Sequence, residues 1–98
     1  MIKVNEYFDA QVKSLSFENK NGRATVGVME PGNYEFGTGS PERMTLISGN
    51  WELKLPGESV FRNFAKGEGA VIPGSSKFEL RILEQSAYHC EFLPEQGN

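Results

Sequence analysis

The chain holds one cysteine, Cys90, and one histidine, His89, in 98 residues. A lone cysteine excludes an intramolecular disulfide, and no paired cysteines stand at zinc-site spacing, so a reducing, cytoplasmic setting is expected. Long apolar runs are missing as well. The start "MIKVNEYFDAQVKS" has no apolar core of signal-peptide length, and no stretch approaches the roughly 20 apolar residues of a membrane-spanning helix. No membrane association is expected. Basic runs are absent too: ten Lys and Arg stand against thirteen Asp and Glu, for a net charge of −3. Nucleic-acid polymers bind through phosphate neutralisation, so that balance argues against them as partners. A small anion, by contrast, needs only one or two placed cations. The length reads as one domain over residues 1–98 with a modest core, for which association with a second copy, a homodimer, is the expected support.

What the sequence has in quantity is punctuation. Glycine or proline recurs at Gly22, Gly27, Pro31-Gly32, Gly37, Gly39, Pro41, Gly49, Pro56-Gly57, Gly67, Gly69 and Pro73-Gly74. That density leaves little room for helices. Between the breakers lie "RATVGVM", "NYEF", "MTLIS", "WELKL", "VFRNFA", "KFELRIL" and "AYHCEFL", rich in β-branched and aromatic residues. They predict short strands in an all-β antiparallel jelly-roll barrel or sandwich. Residues 67–82, "GEGAVIPGSSKFELRI", show the pattern closely: a turn, then Phe78, Leu80 and Ile82 alternating with Lys77, Glu79 and Arg81. In "AYHCEF" the alternation puts Tyr88, Cys90 and Phe92 on one face and His89 on the polar one, so His89 reads as an exposed or half-exposed sheet residue. One segment stays ambiguous. Val4, Phe8, Val12 and Leu15 also fit helical spacing, with Asn5 as a cap, whereas "VKSLSF" running into "ENKNG" reads as a hairpin strand from about residue 10 onward.

The order of strand, acidic residue, strand, glycine turn and Gly-Pro turn resembles the cupins, whose first motif runs His-x-His, three residues, Glu, six residues, Gly. On "FGTGSPERMTLISG" the Glu position is Glu42 and the Gly position Gly49, while Phe36, Thr38 and, in the second motif, Phe78 stand where cupins carry histidines. Phenyl rings coordinate no metal and a lone carboxylate is insufficient, so no catalytic metal is expected. The resemblance narrows further. "NEYF", "VKSLSF", "GRATVGVMEPGNYEF", "PERMTLISG" and "YHCEF", in this order from residue 5 to about 93, look like the small pyrimidine/purine nucleoside phosphorylases of bacteria. That resemblance implies a single cupin-like domain that splits purine and pyrimidine nucleosides with phosphate as co-substrate, without a cofactor. The products would be free base and pentose 1-phosphate.

Phosphorolysis passes through a sugar of oxocarbenium character with phosphate as the nucleophile. The protein must hold phosphate, fix the pentose and stabilise the charge that develops. On the resemblance, Arg23 is the first choice for a bidentate phosphate grip and Arg43 the second. Taken alone, each arginine reads as a solvated strand-end charge or half of a surface ion pair. Glu42 stands where cupins aim a carboxylate inward and is the expected acceptor for ribose hydroxyls or stabiliser of the cationic sugar, against a reading as a turn carboxylate balancing Arg43. Thr38 and Ser48, at even steps from Glu42, would add neutral donors, or else satisfy turn backbone. Phe36 and Phe78 would offer apolar walls, and Tyr34 and Tyr88 would stack on or hydrogen-bond the base, or else pack the core. Phe8, Trp51, Phe61, Phe64, Met29 and Met44 read as packing. Two rival readings stand beside the phosphorylase: a non-enzymatic sugar- or nucleoside-binding cupin, and a barrel filled by its own side chains.

Overall fold

The computed structural model describes residues 2–94. Eight strands follow the punctuation: β1 (Lys3–Tyr7), β2 (Val12–Asn19), β3 (Gly22–Met29), β4 (Gly32–Gly37), β5 (Glu42–Lys54), β6 (Arg62–Phe64), β7 (Gly69–Ile72) and β8 (Lys77–Phe92). The ambiguous start is strand: Lys3–Tyr7 pairs antiparallel with β2, Tyr7 opposite Val12. Between them Phe8, Asp9 and Ala10 take left-handed φ values of 54°, 55° and 67°. That tight reversal breaks the helical periodicity of Val4, Phe8 and Val12. It also turns the Phe8 ring onto Tyr34 and Phe36 of β4, at centroid distances of 5.1 and 5.5 Å. Two assignments shift at their boundaries. "VFRNFA" is strand only over Arg62–Phe64, and the glycine-rich stretch before Pro73 contributes β7 instead of a turn alone.

The two longest strands organise the rest. Along one edge β8 pairs with β4 in its first half and β3 in its second; along the other it pairs with β5 throughout. The far edge of β5 carries β7 near its start and β6 near its end. Two half-sheets result, β1-β2-β3-β8-β5-β7 and β4-β8-β5-β6, sharing β5 and β8. Their inner faces contribute to one core: Val12, Met29, Met44, Leu46 and Ile72 from the first, Tyr34, Trp51, Leu53, Phe78, Leu80 and Ile82 from the second. Among the described residues no pairing joins the outer edges β1 and β6, so the sheet folds over its own core without a closed hydrogen-bonded ring.

The fold-over is made by bulges. The β5–β8 register slips between Leu46 and Ser48, between Ser48 and Asn50, and between Asn50 and Trp51. Such insertions bend a strand and change which side chains face the core. On β5 the buried positions accordingly change from even (Met44, Leu46) to odd (Trp51, Leu53), whereas on β8 they stay even from Phe78 to Cys90. Gly49 sits at this corner with φ 114°, and a Cβ there would lie 2.1 Å from Ser86 Oγ and 2.7 Å from Ser86 Cα. The buried Ser86 hydroxyl accepts from Asn50 N at 3.1 Å and donates to Glu84 O at 2.7 Å, satisfying backbone that the bulge leaves unpaired.

Candidate active site

The concave face of the first half-sheet can be read row by row from its registers. Ser16, Thr25, Cys90 and Met44 form one row, and Ser14, Gly27, Tyr88 and Leu46 the next. Small or polar residues thus sit where an ordinary strand core would be aliphatic. Gly27 matters here, because a Cβ would lie 2.7 Å from both Lys13 O and Tyr88 Cε1; its absence lets the Tyr88 ring lie flat across β3.

These rows floor a cavity of ≈ 260 Å³. Ser14, Thr25, Met29, Met44, Phe78, Tyr88 and Cys90 are its buried lining; Tyr7, Phe36, Gly37, Glu42 and Phe92 form the more exposed rim. Phe36 stacks on Phe78 at 5.8 Å between centroids, and Tyr7 meets Phe36 edge-on at 6.2 Å, so the rim is largely aromatic. Tyr88 is held as a neutral phenol, its pKa pushed up to about 12 chiefly by burial. Among the described residues Glu42 is the one carboxylate of the lining, and no Lys, Arg or His lines the cavity. Burial raises the Glu42 pKa above the ordinary carboxylate value, and a hydrogen bond from Cys90 Sγ to Oε1, 3.3 Å, works against that rise.

A cation stands just outside. Alternation from Thr25 puts Arg23 on the concave face, and its guanidinium lies over the Phe92 ring, 5.4 Å from the centroid. Phe92 is in turn opposite Glu42. Arg23 and Glu42 therefore flank one aromatic ring, two strand spacings apart, about 10 Å at the backbone. Among the described residues Arg23 has no ion-pair partner. It lines a shallow groove of ≈ 390 Å³ with Lys3, Asn5 and Ser16, and this groove shares Tyr7, Thr25 and Phe92 with the cavity.

Of the residues singled out from sequence, Glu42, Phe36, Phe78 and Tyr88 come together in the cavity and Arg23 stands at its lip. The other four lie elsewhere. Arg43, on the opposite face of β5 from Glu42, makes an exposed ion pair with Glu91 at 3.7 Å. Thr38 lies past the end of β4, where its hydroxyl donates to Pro73 O at 2.7 Å and accepts from Ser76 N at 3.0 Å, closing a turn. Ser48 is exposed because the bulge at the Leu46–Ser48 slip has already changed the face. Tyr34 is buried in the core and donates its hydroxyl hydrogen to Glu30 O at 2.7 Å. His89 is half-buried on the outer face, stacked on Phe17 at 6.2 Å.

Sequence reasoning missed Tyr7, Ser14, Thr25, Cys90 and Phe92. A signal existed for two of them: alternation from Val12 through Ser14, and back from Met29 through Gly27 to Thr25, puts hydroxyls on the inward face. Among the described residues no three His, Cys, Asp or Glu side chains converge as metal ligands would.

Comparison with known proteins agrees with this architecture. A family model described as pyrimidine/purine nucleoside phosphorylase matches residues 2–92. A protein of Pseudomonas entomophila called pyrimidine/purine nucleoside phosphorylase is 51% identical over 92 residues, covering 94% of this chain and 98% of its own length. Another of that name from Tolumonas auensis is 49% identical, with 94% and 99% covered. The crystal structure of a Vibrio parahaemolyticus protein of unknown function superposes with a TM-score of 0.91 at 44% identity, covering 95% of this chain and 99% of that one. A cupin-2 domain from Rhodospirillum rubrum matches at TM-score 0.74 and 15% identity over 99% of this chain and 72% of its own, a likeness of fold that identifies the bent double sheet as cupin-like. With a family model spanning nearly its whole length and relatives at about half identity, this chain belongs to the pyrimidine/purine nucleoside phosphorylase family.

Proposed function

We propose that the chain is a nucleoside phosphorylase that works from this cavity and its lip. The observation that carries the site is the row Arg23–Phe92–Glu42, which sets an unpaired guanidinium and an inward carboxylate on either side of one aromatic ring at the mouth of the cavity. The C–N bond of the nucleoside breaks ahead of bond formation, its electron pair going to the base, and hydrogen phosphate held by Arg23 then closes on C1′ of the pentose. The phosphate proton ends on the base, and pentose 1-phosphate and free base leave. Ionised Glu42 stabilises the cationic sugar between these events. Neither a protein nucleophile nor a metal is required by this route.

Burial suggests how the substrate is divided. Hydroxyls of Ser14, Thr25 and Tyr88 are on the floor and suit a pentose; Tyr7, Phe36 and Phe92 on the rim suit a base. Stacking on aromatic rings is tolerant of which base is presented, because every base has a π-face. A volume near the lower end for ligand pockets fits a site that encloses the sugar and leaves the base at the mouth. This arrangement favours the enzyme over a barrel filled by its own side chains.

The test is incubation of the chelator-treated protein with purine and pyrimidine nucleosides, with and without phosphate, followed by detection of free base. Base release that requires phosphate and survives chelation is expected. Release lost with EDTA and restored by a divalent metal would refute the metal-free route. Arg23→Ala should raise the KM for phosphate at least about tenfold, and Glu42→Gln should lower kcat at saturating phosphate by about as much, each roughly 1.4 kcal/mol of transition-state stabilisation.

A homodimer belongs to the same proposal, on a surface away from the N-terminal aromatics. Tyr7 and Phe8 pack on Phe36 and Tyr34 of their own chain. The convex face instead exposes Val4, Leu15, Val28 and Ile47 along one shallow apolar groove, a self-complementary surface for a two-fold contact. Light scattering of the wild type against Leu15→Arg checks it, and a monomeric wild type at micromolar concentration refutes it. A reducing cytoplasm suits the free, buried thiol of Cys90.

A further inference from the structure

We propose that Cys90 is a positioning residue for Glu42: its thiol donates to Oε1 and holds the carboxylate over the cavity, leaving Oε2 as the oxygen offered to the substrate. The inference rests on the reading that Glu42 stabilises the sugar. Glu42 is the first residue of β5, at the rim, and a glutamate there loses considerable rotamer entropy if it must keep one pose. Cys90 is directly opposite Met44 and therefore diagonal to Glu42, the offset at which cross-strand side chains still reach each other. It is 4% exposed, lines the same cavity and lies 3.3 Å from Oε1. Among the described residues it is the side chain that hydrogen-bonds Glu42.

The other titratable or charged groups on this face are Tyr88 of β8, Tyr7 and Lys3 of β1, Glu18 of β2 and Arg23 of β3; the two tyrosines line the cavity, while Lys3 and Glu18 line the groove beyond it with Arg23, which Glu18 faces across β2 and β3. β7, on the opposite side of Glu42, brings Ile72 and Ala70, and β5 itself brings Met44 and Leu46; none of these carries a charge. Burial, reinforced by the Glu42 charge, drives the Cys90 pKa far upward. The sulfur therefore remains a thiol, and a donor, wherever Glu42 is ionised.

The experiment follows kcat and both KM values against pH for wild type, Cys90→Ala, Cys90→Ser and Glu42→Gln. Loss of a donor to the ionised carboxylate raises its pKa, so Cys90→Ala should move the acid limb of kcat upward by about half a pH unit or more. It should also lower kcat several-fold while leaving the phosphate KM in place. Cys90→Ser keeps a donor and should bring the limb back. An unchanged limb in Cys90→Ala, with Glu42→Gln slowed about tenfold, would leave Cys90 as packing alone and overturn the inference. Full turnover in Glu42→Gln would instead sink the reading beneath it. Should Cys90→Ala not fold, Cys90→Val fills the volume without a donor, and the same comparison with Cys90→Ser decides.

Discussion

Gly27→Ala is the sharpest perturbation of the floor of the site. The added methyl would meet Lys13 O at 2.7 Å and the Tyr88 ring at 2.7 and 2.8 Å. Carbon atoms rest about 3.5–4.0 Å apart, so the overlap with the ring is roughly 1 Å. The ring is able to move, but the Lys13 carbonyl belongs to the β2–β3 ladder and cannot yield without breaking pairs. Overpacking of this kind costs about 1–3 kcal/mol. At roughly 4–8 °C per kcal/mol for a domain of this size, a central cost of about 2 kcal/mol lowers Tm by about 8–16 °C. Because Tyr88 lines the cavity, kcat/KM should fall as well, measured on protein still folded at the assay temperature. Gly39→Ala is the control: a Cβ there meets nothing within 4 Å, and the change should stay within about 0.5 kcal/mol. A Gly27→Ala protein melting within about 2 °C of that control would refute the argument that this glycine makes room for Tyr88.

Glu42→Gln should raise Tm at neutral pH while lowering turnover. The folded-state pKa of Glu42 lies above its ordinary 4.5, so the folded state binds the proton more tightly than the unfolded one, and the ionised group is a stability cost that appears as pH rises through the folded pKa. The gain should shrink as the pH of the melt falls toward 4.5, and a gain constant over that range would contradict it. Thr38→Val removes the donor to Pro73 O and the acceptor of Ser76 N in a part-buried turn, for a loss of about 1–3 kcal/mol by thermal melting. Ala10→Gly relieves the left-handed φ of 67° and should stabilise the protein by up to about 1 kcal/mol, seen as a rise in the urea midpoint; a lower midpoint would contradict the strain.

The sequence by itself determined the class of fold and the family. Glycine and proline spaced too closely for helices, with alternating apolar residues between them, leave an antiparallel β-protein as the consistent reading, and "KFELRIL" and "AYHCEF" display the alternation that β8 carries on either side of its exposed middle, Leu83 to Gln85. Glu42 was legible as inward because it shares parity with Met44 on a strand still regular at that point. Past Leu46 the same parity argument misplaced Ser48, because a bulge is a long-range event: it depends on where β8 lies against β5, and no local composition announces a register slip. Thr38 shows the same limit, having left the strand for a turn that closes against residues some 35 positions away. The same parity already turned Arg43 away from Glu42, to the convex side where it meets Glu91. Only the tertiary structure set Arg23 beside Phe92, because that neighbour comes from β8, far away in sequence. The remaining site residues, Ser14, Thr25 and Cys90, became a site when β2, β3 and β8 were laid edge to edge, since each is an ordinary small residue until three strands put them on one wall facing a carboxylate from a fourth.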